Sequence, residues 1–251
     1  MLKEERQNLI LEMLRKNGKV VAVELSQFFD VSEDTIRRDL RELDEVGMLM
    51  RVHGGGLPHS PAVISFTERL RQSPAAKEAV VRAAVKYIHS GQTIILEGGT
   101  TNLQVAQSLP QDLLATIITN SPVIADLLCD HPTVEVLLLG GRLYKKSRVT
   151  TGISMVEAVK SIRADVCFLG ICSLHPEVGI STDCYEEAYV KQAMVNVSTE
   201  VFALAAVDKL GTTSPYVVSP IAALTHLITG IEAPELLILP YRETGIHVEL
   251  V

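Results

Sequence analysis

From residue 77 to the end of the chain, short apolar runs of strand length alternate with segments of helical period. The runs predicted as strands are 93–96, 115–119, 134–139, 166–170, 201–206, 224–229 and 247–250, with helices such as 101–108, 122–129 and 185–197 between them. Short buried strands alternating with helices have both faces covered, so the pattern predicts a parallel or mostly parallel α/β sheet covered on two sides. In such sheets ligands sit beyond the carboxyl ends of the strands. The residues directly after each run therefore matter most.

The first third of the chain reads differently. Helices are predicted over 4–17, 21–29 and 33–46; Gly18 and Gly47 stop the first and third, and Ser32 caps the third with Glu33 and Asp34 in its first turn. The segment MLMRVHGGG then reads as a brief extended piece and a glycine turn. Three prolines and two Ser-Pro pairs in 58–76 mark a linker with one short helical piece. The expected organisation is a small domain over 1–57, a linker over 58–76 and a larger domain over 77–251.

In the third helix Ile36, Leu40 and Leu43 form one apolar stripe. At about 100° per residue Arg38 lies opposite it, with Asp34 and Arg41 beside it and Thr35 and Arg37 on the flanks. Arginine forks bond guanine edges or phosphates, and a threonine methyl meets thymine. Two helices separated by a few residues match a helix-turn-helix whose later helix enters the major groove. Arg51 and His53, just before Gly54, Gly55 and Gly56, suggest a wing whose glycines let the loop approach a sugar-phosphate backbone.

Charge sets a limit on this reading. The chain carries 23 Lys plus Arg against 30 Asp plus Glu, a net charge of −7, so bulk attraction to polyanions is excluded and any nucleic-acid contact is local. Residues 1–57 hold 9 Lys or Arg against 11 Asp or Glu. Oligomerisation, to a dimer or tetramer, would compensate by doubling the contacts. Aromatics are scarce, at 4% with no Trp, which argues against single-strand stacking. No segment approaches the roughly 18 apolar residues of a membrane span, the amino end lacks the run of a signal peptide, and the four cysteines form no C-x-x-C pair. A cytoplasmic protein with no membrane partner is expected.

The segment TIILEGGTTNLQVAQSL is a strand, a glycine turn and a helix start. Gly98 and Gly99 permit the turn, and the backbone amides and hydroxyls of Thr100 and Thr101 can gather around an anion at the helix end. It is neither a Walker A loop nor a G-x-G-x-x-G fingerprint. Asn120-Ser121, Gly140-Gly141-Arg142 and Lys209 follow other predicted strands, so these loops can converge on one crevice, with Arg142 and Lys209 as its cations. Seven scattered histidines give no metal-ligand spacing, and no cofactor is expected.

Taken together, VSEDTIRRDLRELDEVGMLMRVHGGG, with ERQNLILEML and VELSQFF before it, resembles the winged helix-turn-helix of the DeoR family of bacterial transcriptional regulators. The resemblance implies DNA contacts from Thr35, Arg37 and Arg38, and the full expected contact set is Ser32, Thr35, Arg37, Arg38, Arg41, Arg51 and His53. It continues through Glu97-Gly98-Gly99-Thr100-Thr101, Thr119-Asn120-Ser121, Gly140-Gly141, Gly179 to Thr182 and Glu187 to Lys191. Implied there is a fold similar to ribose-5-phosphate isomerase and the CoA transferases, binding a phosphorylated sugar through these segments, Glu187, Lys191 and Lys209 included. Two positions depart from the family pattern: Glu97 stands where Asp is usual, and Ala206 replaces the Asp of an Asp-Ser-Ser-Lys motif that reads Ala206-Val207-Asp208-Lys209 here.

The function expected is a repressor of a carbohydrate-utilisation operon, binding a double-stranded operator under control of a phosphorylated sugar. A sugar-phosphate isomerase-like enzyme is the alternative, with Glu97, Asp183, Glu187 or Asp208 as base, but no pair of these is spaced to specify a mechanism. An adaptor whose winged helix meets protein is a third reading.

Overall fold

The computed structural model describes residues 1–58, 65–71 and 74–251. Its amino-terminal part contains α1 (Lys3–Asn17), β1 (Val20–Val21), α2 (Ala22–Phe29), α3 (Glu33–Glu45), β2 (Met50–Val52) and β3 (Gly55–Leu57). Gly18 takes φ 71° at the end of α1, the left-handed conformation that glycine adopts without penalty. Ile10, Leu14, Leu25, Phe29, Ile36, Leu40, Leu43 and Leu49 form a single core. The three strands pair antiparallel in the order β1-β3-β2. The two-residue β1 is too short to read from sequence, whose periodicity places Val21 in the next helix instead.

Of the expected linker, residues 59–64, 72 and 73 lie outside the described residues, His59 among them. The rest carries α4 (Phe66–Arg71) and the start of α5 (Pro74–Val85). Phe66 is buried in the core of the larger, carboxyl-terminal part, so α4 packs with that part and not with the small head.

The larger part runs β4 (Thr93–Leu96), α6 (Thr100–Gln107), β5 (Thr116–Thr119), α7 (Pro122–Leu128), β6 (Glu135–Leu138), β7 (Arg142–Tyr144), β8 (Val149–Thr151), α8 (Ile153–Lys160) and β9 (Ala164–Gly170). It continues with β10 (Ser173–His175), β11 (Gly179–Thr182), α9 (Tyr185–Asn196), β12 (Ser198–Leu204), β13 (Tyr216–Ser219), β14 (His226–Thr229), α10 (Glu235–Glu243) and β15 (His247–Leu250). All seven predicted strands, with ends moved by a few residues, join one fully parallel sheet in the order β15-β14-β12-β9-β4-β5-β6. Successive side chains point to opposite faces. Ile94, Leu96, Val166 and Phe168 enter one core with α5, α6 and α7, while Ile95, Cys167 and Leu169 enter the other with α8, α9 and α10.

Two additions escape the sequence pattern: a hairpin of β7 with β8, and a small antiparallel sheet in the order β10-β11-β13. Their strands of three or four residues carry too little alternation to announce themselves. The amino-terminal part rests against this second sheet. Thr213 donates its N–H to the Pro58 carbonyl at 3.1 Å, and Lys19 meets Glu177 at 3.0 Å.

Candidate functional site

The first group of predicted residues gathers on α3. Ser32 caps the helix, its hydroxyl accepting the Thr35 N–H at 3.2 Å and lying 2.9 Å from the Thr35 hydroxyl. Ile36, Asp39, Leu40 and Leu43 are buried, which turns Arg37, Arg38 and Arg41 to solvent. Arg37 is held back along its own helix by Glu33 at 2.8 Å and Asp34 at 3.5 Å. Arg38 and Arg41 carry no ion pair among the described residues, so their forks remain available.

What aims this helix is a contact that sequence reasoning passes over. Arg6 of α1 grips Asp39 of α3 with Nε to Oδ2 at 2.5 Å and Nη2 to Oδ1 at 3.2 Å, a buried bidentate pair. Gln7 and Lys3 both reach Glu42, at 2.8 and 2.5 Å. A signal was present: by helical phase Asp39 falls beside the apolar stripe, and a carboxylate there demands a cation.

In the wing, Arg51 and His53 are exposed, with Gly54 at the turn with φ 87°. Gly55 and Gly56 correct the sequence reading of the glycine run. They are buried in β3, and a Cβ on Gly55 would stand 2.0 Å from the Val20 carbonyl oxygen. Their smallness serves strand packing, and only Gly54 lies at the exposed tip.

The second group lies along the carboxyl edge of the large sheet. From β4 the strand order runs one way through β5 and β6 and the other way through β9, β12, β14 and β15, so the order reverses between β4 and β9. Glu97 comes directly after β4, and Gly170 ends β9. Both the Gly170 N–H, at 2.9 Å, and Lys191 Nζ of α9, at 2.6 Å, donate to Glu97 Oε2, and Lys191 also donates to the Gly170 carbonyl at 2.7 Å. A Cβ at Gly170 would collide with Glu97 Oε2 at 2.3 Å. Oε1 of Glu97 is buried and has no hydrogen-bond partner among the described residues.

Burial opposes the Lys191 ammonium, but the negative charges of Glu97 and Glu187 and the hydrogen bond to Glu97 outweigh it, and its pKa is raised. Glu187, one turn earlier on α9, is buried with Ser147 Oγ donating to it at 3.3 Å. Burial, reinforced by the charges of Glu97 and Asp183, pushes its carboxyl up to about 7 against the pull of Lys191.

Asn120 and Ser121 are buried beside this cluster and are spent on holding it. Asn120 Oδ1 accepts the Gly98 N–H at 3.0 Å, its amide donates to the Thr150 carbonyl at 3.4 Å, and Ser121 Oγ donates to the Arg148 carbonyl at 3.4 Å. Gly98 is pressed on Val149, whose Cγ1 lies 2.0 Å from where a Cβ would be.

Around the amino end of α6, capped by Gly99, a cleft of about 320 Å³ opens. Thr100, Thr101 and Lys209 of the predicted set line it, with Ala206 and Asp208. Lys209 Nζ donates to the Ile171 carbonyl at 2.6 Å, and burial brings its pKa down to about 8. Arg142 is not brought here. It stands exposed on β7, paired with Glu186 at 2.6 Å, while Gly140 and Gly141 open that hairpin, with Thr151 O 2.5 Å from where a Cβ on Gly141 would be. The cleft's other cations are Arg69 of α4 and Lys77 of α5, which sequence reasoning places in or beside the linker. Among the described residues no group of three or more His, Cys, Asp or Glu is placed to hold a metal, and no helix is long and apolar enough to cross a membrane.

Comparison with known proteins adds an independent line. Residues 6–59 match the DeoR-like helix-turn-helix domain and residues 72–230 the DeoR C terminal sensor domain. The chain is 34% identical over 231 residues to the HTH-type transcriptional repressor GlcR of Bacillus subtilis, covering 91% of this chain and 89% of that one. It is 28% identical to the glycerol-3-phosphate regulon repressor of Escherichia coli over 100% of both chains. Among solved structures, ribose 5-phosphate isomerase A of Methanocaldococcus jannaschii is similar over 51% of this chain and 50% of that one, with 15% identity and a TM-score of 0.37, too partial a likeness to build on.

Proposed function

The chain belongs to the DeoR family of helix-turn-helix transcriptional regulators, and from that premise we propose how its parts divide the work. It is a DNA-binding regulator and not an enzyme, which sets the isomerase alternative aside. In the proposal α3 lies in the major groove of a duplex operator. Arg38 and Arg41 reach base edges or phosphates; Ser32, Thr35 and Arg37 contact the backbone near the helix start; and Arg51 and His53 follow the strand through the wing. The observation that carries this is the exposed Arg38–Arg41 face, without an ion pair among the described residues, lying opposite the buried stripe of α3.

The effector is a phosphorylated sugar or a comparably small phosphorylated metabolite, as the name of the glycerol-3-phosphate regulon repressor suggests for that relative. It sits at the carboxyl edge of the sheet, where the order reverses. Thr100, Thr101 and Lys209 meet its phosphate. Glu97, Glu187 and Lys191 set the polar floor, and Gly98, Gly99, Asn120 and Ser121 hold the turn in shape. Gly140, Gly141 and Arg142 belong to the rim. The protein acts in the cytoplasm as a repressor of a carbohydrate-utilisation operon. It does so as a homo-oligomer, because a head with more acids than bases needs a second head on the same duplex to bind firmly.

Selection of random duplexes by the full chain tests the reading. The expected product is a two-fold-symmetric site with half-sites about 10 base pairs, or a multiple, apart, whose affinity shifts when glycerol 3-phosphate or a hexose phosphate is added. Recovery of no preferred sequence, or of a site indifferent to every phosphorylated metabolite tried, contradicts it.

A further inference from the structure

Three of the chain's six tyrosines stand together on the surface. Tyr185 and Tyr189, one turn apart on α9, meet edge to face with ring centres 4.9 Å apart and hydroxyls 2.9 Å apart, and Tyr216 of β13 packs against Tyr185 at 5.4 Å. They remain 57%, 49% and 39% exposed. Each ring is held by the next, so little side-chain freedom is left to lose when something covers them. Rigid rings, apolar in body and polar at the tip, are what the centres of protein interfaces are enriched in.

The surroundings of the cluster decide what fits it. Beside it Glu186 accepts the Thr151 hydroxyl at 2.9 Å and pairs with Arg142 at 2.6 Å, and Ile153, two residues beyond Thr151 at the start of α8, is 82% exposed. The acid and the base cancel here, in a chain whose net charge is −7. Two copies of such a chain repel through their overall charge and approach at least cost where the surface is aromatic and its charges are already paired. The area agrees. Three rings of about 150–250 Å² each, about half exposed, together with Ile153 offer about 400 Å², roughly half of the about 800 Å² that a stable complex takes from each partner, the rest being polar rim.

We infer that the tyrosine cluster is where two copies of the chain meet, the same patch serving both about a two-fold axis. This rests on the proposal that the protein acts as a homo-oligomer, and it adds the surface that makes it one. None of the cluster lines the cleft, so each copy keeps its cleft open. Tyr216 comes three residues after Thr213, whose N–H holds the Pro58 carbonyl at the foot of the head. Pairing at Tyr216 therefore brings the two feet toward one axis and fixes how one head hangs relative to the other.

Sedimentation velocity of the full chain over a concentration series, without DNA, tests this. Wild type should associate into a dimer or a multiple of one. Tyr185→Asp and Tyr189→Asp should each raise the dissociation constant of one association step at least about tenfold, with circular dichroism unchanged because both side chains are at the surface. Tyr189→Phe keeps the ring and should associate like wild type. Leu236→Asp, at an 88% exposed apolar position on α10, should change nothing.

Association of wild type that neither Asp variant at 185 or 189 weakens, or that Leu236→Asp weakens as much, overturns the inference and leaves the homo-oligomer to form through another surface. A wild type that stays monomeric at every concentration overturns it too and frees the cluster for a different partner. The homo-oligomer reading is decided separately, by whether one or two copies bind each selected operator.

Discussion

Two buried ion pairs, one in the reading head and one in the sensor, are built to different specifications. Arg6 and Asp39 satisfy each other with two bonds and tie α1 to α3. Lys191 and Glu97 share one short bond, and Glu97 keeps a buried oxygen with no partner among the described residues. The first pair is closed and sets where a helix points. The second lies where strand order reverses, outside the residues that line the cleft, beside a Glu187 carboxyl that burial pushes up to about 7. A complete buried pair is scaffold, and an incomplete one keeps an acceptor unspent.

The largest effect should come from breaking the closed pair. Asp39→Ala leaves Arg6 buried with a charge it cannot shed, a loss of about 3–5 kcal/mol. Hydrogen exchange should accelerate across α1 and α3 while the seven-stranded sheet keeps its protection, and operator binding should disappear. Equal protection in both parts would erase the distinction drawn here.

Breaking the open pair should cost less. In Lys191→Met, Glu97 Oε2 keeps the Gly170 N–H, so denaturant unfolding should reveal a loss of about 1–3 kcal/mol. A loss as large as that for Asp39→Ala would mean that the two pairs are alike.

Glu187 sharpens the same contrast. Its native pKa of about 7 lies above the ordinary carboxyl value of 4.5. The folded state therefore keeps a proton that the unfolded chain releases, and the stability this adds is complete below about pH 4.5 and lost as pH rises through 7. Glu187→Gln should stabilise the protein by about 1–2 kcal/mol at pH 8 and hardly at all at pH 4.5, read as unfolding midpoints across pH. A flat difference would place the carboxyl's titration elsewhere. The smallest change is expected at the exposed pair of Arg142 with Glu186, where Arg142→Ala should leave the unfolding midpoint nearly unchanged.

Periodicity carries much of this architecture. The seven strands of the large sheet are legible because each carries a short apolar run bounded by turn residues, even where a polar residue such as Glu135 or Glu249 interrupts it. The caps at Gly18 and Ser32 are legible because their chemistry is local. The short strands β7, β8, β10, β11 and β13 are hidden by their length, and α10 by Pro240, which argues against a helix through its position. Of the residues that sequence singles out after strands, Thr100 and Thr101 line the cleft and Glu97 and Asn120 do not. Arg69 and Lys77 of the cleft are not singled out, because only tertiary packing brings α4 and α5 to the strand ends. Arg142 is drawn in by the rule of strand ends, but the unpredicted hairpin carries it to Glu186. Gly55 reads as making room for DNA, whereas Val20 is what crowds it.

In the proposed reading, operator recognition depends on an arginine face of α3 that contacts duplex DNA without holding the fold together. Fluorescence anisotropy of the selected operator with wild type and Arg38→Ala, at matched salt, measures this directly. Losing one bidentate base contact, about 1–3 kcal/mol, predicts affinity roughly 10- to 100-fold weaker at an unchanged unfolding temperature. Equal affinity for the operator in the two proteins would contradict it.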